Sequence, residues 1–280
     1  MDLASLKVIK TLLRKYRIFP SKRFGQNFLV DKTILFKIIE TACLKPKDIV
    51  LEIGPGIGTL TQEIAKIVKK LIAVEKDFKM VEILKETTKS FKNVKIIQAD
   101  ILKTYNLQLT TYNYKVVANL PYYIVSPVIR KFLEAPNPPK EMILMVQKEV
   151  AQRICARPPD MNLLAVSVQF YAKPKIISYV SKESFWPKPK VDSAIIRITP
   201  RQPAPYRNEV SGAGFREQFF KIVKAGFSQP RKQLVNNLSK MLKLDKEIVK
   251  IWLLKNNIQP AQRAGTLSIG DWKNLVKSLR

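Results

Sequence analysis

The residues Asn119-Leu120-Pro121-Tyr122 have the types and order needed for chemistry on the exocyclic amino group of a nucleobase. An amide oxygen and a backbone carbonyl left free at a strand end each accept a hydrogen bond from an NH2 group, and a neighbouring aromatic ring can stack on the base. The tetrapeptide follows the strand-like run Lys115-Val116-Val117-Ala118. Taken alone it reads more readily as a strand-to-turn exit, because Asn and Pro punctuate turns and Tyr anchors them. Such a site needs no histidine, and the chain contains none.

The segments upstream would have to position it. Leu51-Glu52-Ile53-Gly54-Pro55-Gly56-Ile57-Gly58 is an apolar strand running into alternating glycines, then into an amphipathic stretch through Ala65, Ile67 and Val68. Glycines in a strand-turn-helix unit let backbone approach a ligand, and an acid about twenty residues on, at the end of the next strand, can hold ribose hydroxyls. Glu75, followed by Lys76, fits at the end of Leu71-Ile72-Ala73-Val74. A nicotinamide or flavin nucleotide would use the same devices. Gly58, however, comes two residues after Gly56 rather than three, so the pyrophosphate fingerprint is missing and the spacing favours an adenosine ligand without a diphosphate. A further run, Val94 to Ala99, ends at Asp100, whose carboxylate can accept the adenine amino group while Ile101 packs on the ring. An acid there serves equally well as a helix cap or a solvated turn residue.

Acid-tipped strands followed by Asn-Leu-Pro-Tyr resemble the S-adenosylmethionine-dependent adenine-N6 methyltransferases, and more specifically the ribosomal RNA adenine dimethyltransferase family. The resemblance runs through Phe24-Gly25-Gln26-Asn27-Phe28-Leu29-Val30-Asp31, the Gly54 turn, Glu75, Asp100, Asn119 to Tyr122, Val146-Gln147-Lys148-Glu149-Val150 and Phe185 to Ala194. Within the family, Ala225 to Leu234 and Arg263 to Ser268 resemble the KsgA/RsmA branch, which dimethylates two adjacent adenines in a 3′-terminal hairpin of small-subunit (16S) rRNA. The other branch, the Erm type, modifies large-subunit rRNA. Arg157 to Leu164 departs from the family, which carries a Gly-Lys and Tyr-Gly stretch there.

The resemblance implies S-adenosylmethionine as cofactor, with Asn27, Leu29, Gly54, Gly56, Glu75, Lys76, Asp100, Ile101 and Asn119 around it. It implies small-subunit rRNA or an immature small ribosomal subunit as partner, and a monomer. An adenine amino nitrogen is a poor nucleophile because its lone pair is delocalised into the ring. Hydrogen bonds from its two N–H groups to the Asn119 side-chain oxygen and the Pro121 carbonyl would favour a tetrahedral nitrogen, leaving catalysis to positioning and electrostatics without an obligatory base. Tyr122 would stack on a flipped adenine with Phe185 as candidate for the other face; Tyr123 either joins them or packs beneath.

Composition points the same way. With 50 Lys+Arg against 22 Asp+Glu the net charge is +28, which implies a polyanionic partner, although a Lys-rich proteome would raise it too. No apolar run reaches the roughly twenty residues of a transmembrane helix, and the first residues lack a signal peptide's pattern, so a cytoplasmic protein away from membranes is expected. Cys43 and Cys155 read as buried thiols in a reducing compartment; two cysteines without histidine cannot build a structural zinc site, and no metal is expected.

The expected fold is α/β: a Rossmann-like methyltransferase domain with a mainly parallel, doubly wound sheet over 1–200, including a basic N-terminal arm from Lys7 to Arg23. A Pro- and Gly-rich linker follows at 201–214, then a small all-helical RNA-binding domain at 215–280, with apolar positions Phe219, Ile222, Val223, Leu234, Leu238, Leu242 and Ile251 to Leu254. Residues 201–280 carry 16 basic against 5 acidic residues, a net +11. Three function classes remain open: the rRNA dimethyltransferase, which leads; the same chemistry on large-subunit rRNA or DNA; and a non-catalytic RNA-binding or assembly factor.

Overall fold

Apolar runs that stop at Gly54, Asp100 and Asn119 form three of the strands of this protein, because Gly, Asp and Asn supply the turn chemistry that stops a ladder. The structure, a computed structural model, describes residues 1–20, 26–104, 113–201 and 210–279; Phe24, Gly25, the end of the basic arm and 202–209 of the expected linker lie outside the described residues. The strands are β1 (Phe28–Leu29), β2 (Ile49–Ile53), β3 (Lys70–Glu75), β4 (Val94–Gln98), β5 (Tyr114–Asn119), β6 (Met142–Gln147), β7 (Ala172–Val180), β8 (Phe185–Trp186) and β9 (Ser193–Pro200). Seven form one sheet in the order β4-β3-β2-β5-β6-β9-β7, while β1 and β8 pair separately.

From β4 across to β6 every neighbouring pair is parallel, and β9 returns antiparallel to β6. The central strands are near-continuous apolar runs, as parallel strands covered on both faces must be: Val50, Leu51, Leu71, Val116, Val117, Ile143 and Leu144 are fully buried. The chain moves outward from β2 to β4 and then comes back to lay β5 on the other side of β2. This reversal opens a crevice at the carboxyl ends of β2 and β5, where such sheets bind ligands. The expected mainly parallel, Rossmann-like α/β domain is therefore present.

Helix starts follow local capping. Asp31 accepts from the N–H groups of Thr33 and Ile34 ahead of the helix Lys32–Ala42, and Asp77 from that of Lys79 ahead of Phe78–Thr87. Cys43 closes the first of these in a left-handed conformation (φ 44°) and is exposed, while Cys155 is half-buried, so neither is the buried thiol expected from its apolar neighbours.

The chain divides into two compact units, Met1–Ala151 with Pro174–Pro200, and Gln152–Lys173 with Arg201–Arg280. The second is helical, as expected, but it begins earlier in the chain and takes in Gln152–Lys173. The reason is packing: the helix Leu163–Tyr171 places Ala165, Val166 and Phe170 in one core with Phe219, Leu238, Trp252 and Trp272. The divergent segment from Arg157 belongs to this unit too, where the Met161 N–H donates to the Gly265 carbonyl at 3.0 Å. The linker also ends sooner than expected, since the chain is helical from Val210 to Gly226. In the helix Lys246–Lys255 only Trp252 and Leu253 of the Ile251 to Leu254 run face inward; Ile251 and Leu254 are exposed on the opposite side.

Gly226 touches the core of the helical unit: a Cβ there would fall 2.4 Å from Cη2 of the buried Trp272. Gly226→Ala is expected to destabilise the unit by about 1–3 kcal/mol through overpacking. Chemical denaturation followed by tryptophan fluorescence measures this, and an unchanged midpoint would contradict the packing described.

Candidate active site

The glycine turn lies between the ends of β2 and β3. Gly54, Gly56 and Gly58 all have positive φ (66°, 57° and 93°), which side-chain-bearing residues rarely adopt. At Gly58 space is restricted too, as a Cβ would sit 3.0 Å from Leu84 Cδ1 and Thr87 Oγ1. Gly54 abuts the other half of the site, since its Cβ position is 3.5 Å from Pro121 Cδ. The turn and Asn119-Leu120-Pro121-Tyr122 thus meet across the crevice, and Gly54, Glu75, Asp100 and Asn119 line one cavity together with Asn27, Leu29, Gly56, Lys76, Ile101, Pro121, Tyr122, Tyr123 and Phe185. Every residue expected at the site is brought there.

Acids dominate the polar wall of this otherwise basic protein. Glu75 is buried, with Oε2 accepting from the Gly56 N–H at 3.1 Å and Oε1 from the N–H groups of Lys76 and Asp77 at 2.8 and 2.9 Å. Burial pushes its carboxyl above the usual range while these three backbone donors pull it back. Asp100 faces Lys76 at 3.0 Å and takes the Leu102 N–H; the bond from the Lys76 ammonium, chief among several causes, holds its carboxyl below the usual range. Sequence reasoning assigned no role to the third acid. Glu52 is 1% exposed, lines the same cavity, and its Oε2 is a buried atom with no hydrogen-bond partner among the described residues. Desolvation pushes its pKa to about 8; Thr61 pulls against the rise and the Glu75 carboxylate adds to it. The signal that marks it is a lone acid within an apolar parallel strand.

Asn119 ends β5 and is half-buried; its Nδ2 donates to the Asn27 carbonyl at 3.4 Å, which turns Oδ1 the other way as an acceptor. Pro121 starts a 3-10 turn over Tyr122–Ile124, and its carbonyl takes the Ile124 N–H at 3.1 Å, leaving one lone pair for a further donor. The Tyr122 hydroxyl is hydrogen-bonded to Ser193 Oγ at 2.9 Å, and burial raises its pKa, so it is a neutral, anchored ring. Tyr123 is 55% exposed and lines the same cavity. Phe185 lines the cavity but is only 4% exposed, sits opposite Leu29 in the β1–β8 pair and packs in the core with Met145 and Ile195. Phe28, beside Gly56, is likewise a buried wall residue.

A doubly wound sheet with this turn, acids ending the next two strands and acceptors at the fourth defines an S-adenosylmethionine-dependent methyltransferase. The donor supplies a methyl group already activated on a sulfonium. The cavity suits such a cationic ligand: the glycines admit it to the backbone, and Glu52 brings an unpartnered buried carboxyl oxygen.

The family described as ribosomal RNA adenine dimethylase matches residues 20–280. Ribosomal RNA small subunit methyltransferase A of Dehalococcoides mccartyi is 45% identical over 268 residues, covering 95% of this chain and 90% of that protein. The protein of the same name from Geobacillus kaustophilus is 38% identical over 290 residues, covering 99% and 97%. Among solved structures, a dimethyladenosine transferase from Plasmodium falciparum aligns with a TM-score of 0.74 at 28% identity, over 88% of this chain and 95% of that one. The 23S rRNA methyltransferase ErmE aligns with 0.73 at 26%, over 90% and 99%. The chain belongs to the ribosomal RNA adenine dimethylase family: it is an S-adenosylmethionine-dependent enzyme that methylates adenine in ribosomal RNA.

Glu52 makes the site pH-sensitive. In the unfolded chain its carboxyl ionises near 4.5, as an ordinary glutamate does, whereas the folded protein holds the proton until about pH 8. The folded state thus binds more protons in that window, and this contribution to stability is present below it and lost as pH rises through it. Glu52→Gln is expected to flatten the fall of Tm with pH in ligand-free protein and to weaken S-adenosylmethionine binding about tenfold above pH 8, the scale of losing one charged contact. Thermal melts and calorimetry across pH check both; parallel melting profiles for the two proteins would refute the assignment.

Proposed function

We propose that this enzyme transfers methyl groups to N6 of two adjacent adenines in a 3′-terminal hairpin of small-subunit (16S) rRNA, giving N6,N6-dimethyladenosine during ribosome biogenesis. It would act as a cytoplasmic monomer on immature small subunits. The observation that carries the target is the similarity over nearly the whole chain, helical unit included, to relatives named for the small subunit.

In this reading Asn119 Oδ1 and the Pro121 carbonyl accept the two amino hydrogens and draw the nitrogen lone pair out of conjugation. Tyr122, fixed through Ser193, offers a stacking face worth about 1–3 kcal/mol per base, and Phe185 closes the far wall. Asn27 orients Asn119, and Leu29 with Ile101 forms the apolar lining. Glu75 and Asp100 receive the hydroxyl and amino groups of the donor's adenosine, with Lys76 holding Asp100 ionised. The proton leaves the methylated nitrogen after transfer, when that nitrogen has become acidic, so no base has to be placed in line. A second methylation needs one acceptor for the remaining hydrogen, which the paired acceptors still supply.

Methyl transfer from labelled S-adenosylmethionine to unmethylated small subunits, with large-subunit rRNA competing and the nucleoside identified by mass, tests the target. Dimethyladenosine confined to small-subunit RNA is expected. Label only on large-subunit RNA would overturn the target, and no label despite donor binding would overturn the catalytic reading.

A further inference from the structure

The cavity has an aromatic and cationic neighbour that the reaction described above does not use. Tyr179, near the end of the edge strand β7, is 52% exposed, and the Lys148 ammonium lies 5.2 Å from its ring centroid. Lys148 directly follows Gln147, which pairs with Ser193 across β6 and β9, and Ser193 is the residue that anchors Tyr122. The Lys148 N–H donates to the Asp192 carbonyl at 3.0 Å, and the Lys182 N–H to Asp192 Oδ1 at 3.1 Å, so the ends of β6, β7 and β9 are tied together at this corner. Tyr179 therefore stands one strand over from the anchor of the target-base ring.

The helix dipole does not account for Lys148. It is the first residue of the helix Lys148–Ile154, where a cation opposes the helix dipole. An exposed aromatic ring beside an ammonium is instead the pairing that holds a single-stranded nucleotide, the ring stacking on the base and the cation meeting the phosphate. Lys175 and Lys190, both exposed, add positive charge on either side in sequence.

We infer that Tyr179 and Lys148 form a second nucleotide site, which stacks the base next to the target adenine and holds its phosphate while the target occupies the Tyr122 cavity. The inference deepens the proposed function and rests on an RNA substrate with two adjacent adenines. The site gives the neighbouring base a place to wait, so that both adenines are presented without the enzyme releasing the RNA.

The probe is a hairpin oligoribonucleotide with two adjacent loop adenines, the second replaced by the fluorescent analogue 2-aminopurine, bound to the full chain with S-adenosylhomocysteine. Wild type is expected to quench the analogue. Tyr179→Phe, which keeps the ring, should quench as wild type does, whereas Tyr179→Ala should lose the quench and raise the RNA Kd about five- to tenfold. Lys148→Met should lower the salt slope of binding by about one. Cofactor Kd should stay unchanged in all three, which separates a nucleotide contact from a folding defect. Absence of quenching by wild type, equal quenching by Tyr179→Ala, or equal loss in the Phe and Ala variants would overturn the inference. Methyl transfer to the unsubstituted hairpin is read separately: no transfer with the Tyr179-dependent quench intact would overturn the target assignment and leave the second site standing.

Discussion

A parallel sheet delivers the carboxyl ends of its strands to one edge, and the pairing register decides which side chains arrive there. In this protein Glu52 lies opposite Ala73 and Val117, Glu75 opposite Gln98, and Asn119 opposite Met145. A slip of one residue in any of these ladders would turn the strand's side chains to the other face. Such a slip would carry Glu52 and Asn119 away from the cavity and into the packed apolar core, where their polar groups would be buried without their present surroundings. The register thus brings Glu52, Glu75, Asp100 and Asn119 to one cavity although no two of them are close in sequence. The return of the chain past β2 to β5 supplies the opening.

Charge is divided by task. The chain as a whole is strongly basic, at +28, which favours a polyanion and makes binding salt-sensitive. The cavity runs against that bias, with three carboxyl groups against the single ammonium of Lys76 among its lining residues. Burial makes Glu52 sensitive to its ligand: desolvation pushes its pKa up to about 8, and a cationic donor would favour its ionised form. The basic chain and the acid-lined cavity thus suit partners of opposite charge, RNA and a cationic cofactor.

Much of the site was legible in the sequence because its signals are local. Glycines two residues apart after an apolar strand, an acid ending the next strand, and Asn-Leu-Pro-Tyr after a β-run each report on a turn whose chemistry is set by a few neighbours. What the sequence hid depends on partners far along the chain. The apolar face of Leu163–Tyr171 suits either unit, and only contact with Phe219 and Trp272 places it in the helical one. The orphaned oxygen of Glu52 follows from sheet register, and the exposure of Cys43 from a helix end that turns left-handed at that residue. Phe185, the candidate for the adenine's other face, is 4% exposed and paired with Leu29, a degree of burial its sequence neighbours do not reveal.

We propose that methyl transfer depends on acceptors aimed at the adenine amino group rather than on a base. Asn119→Ala removes the side-chain acceptor and leaves Pro121, the glycine turn and the acids in place. Single-turnover methyl transfer, with cofactor affinity measured by calorimetry on the same protein, tests this most directly. Loss of transfer by about a hundredfold or more with only a partial loss of cofactor affinity is expected, in line with removal of one transition-state contact. Transfer at the wild-type rate would contradict it.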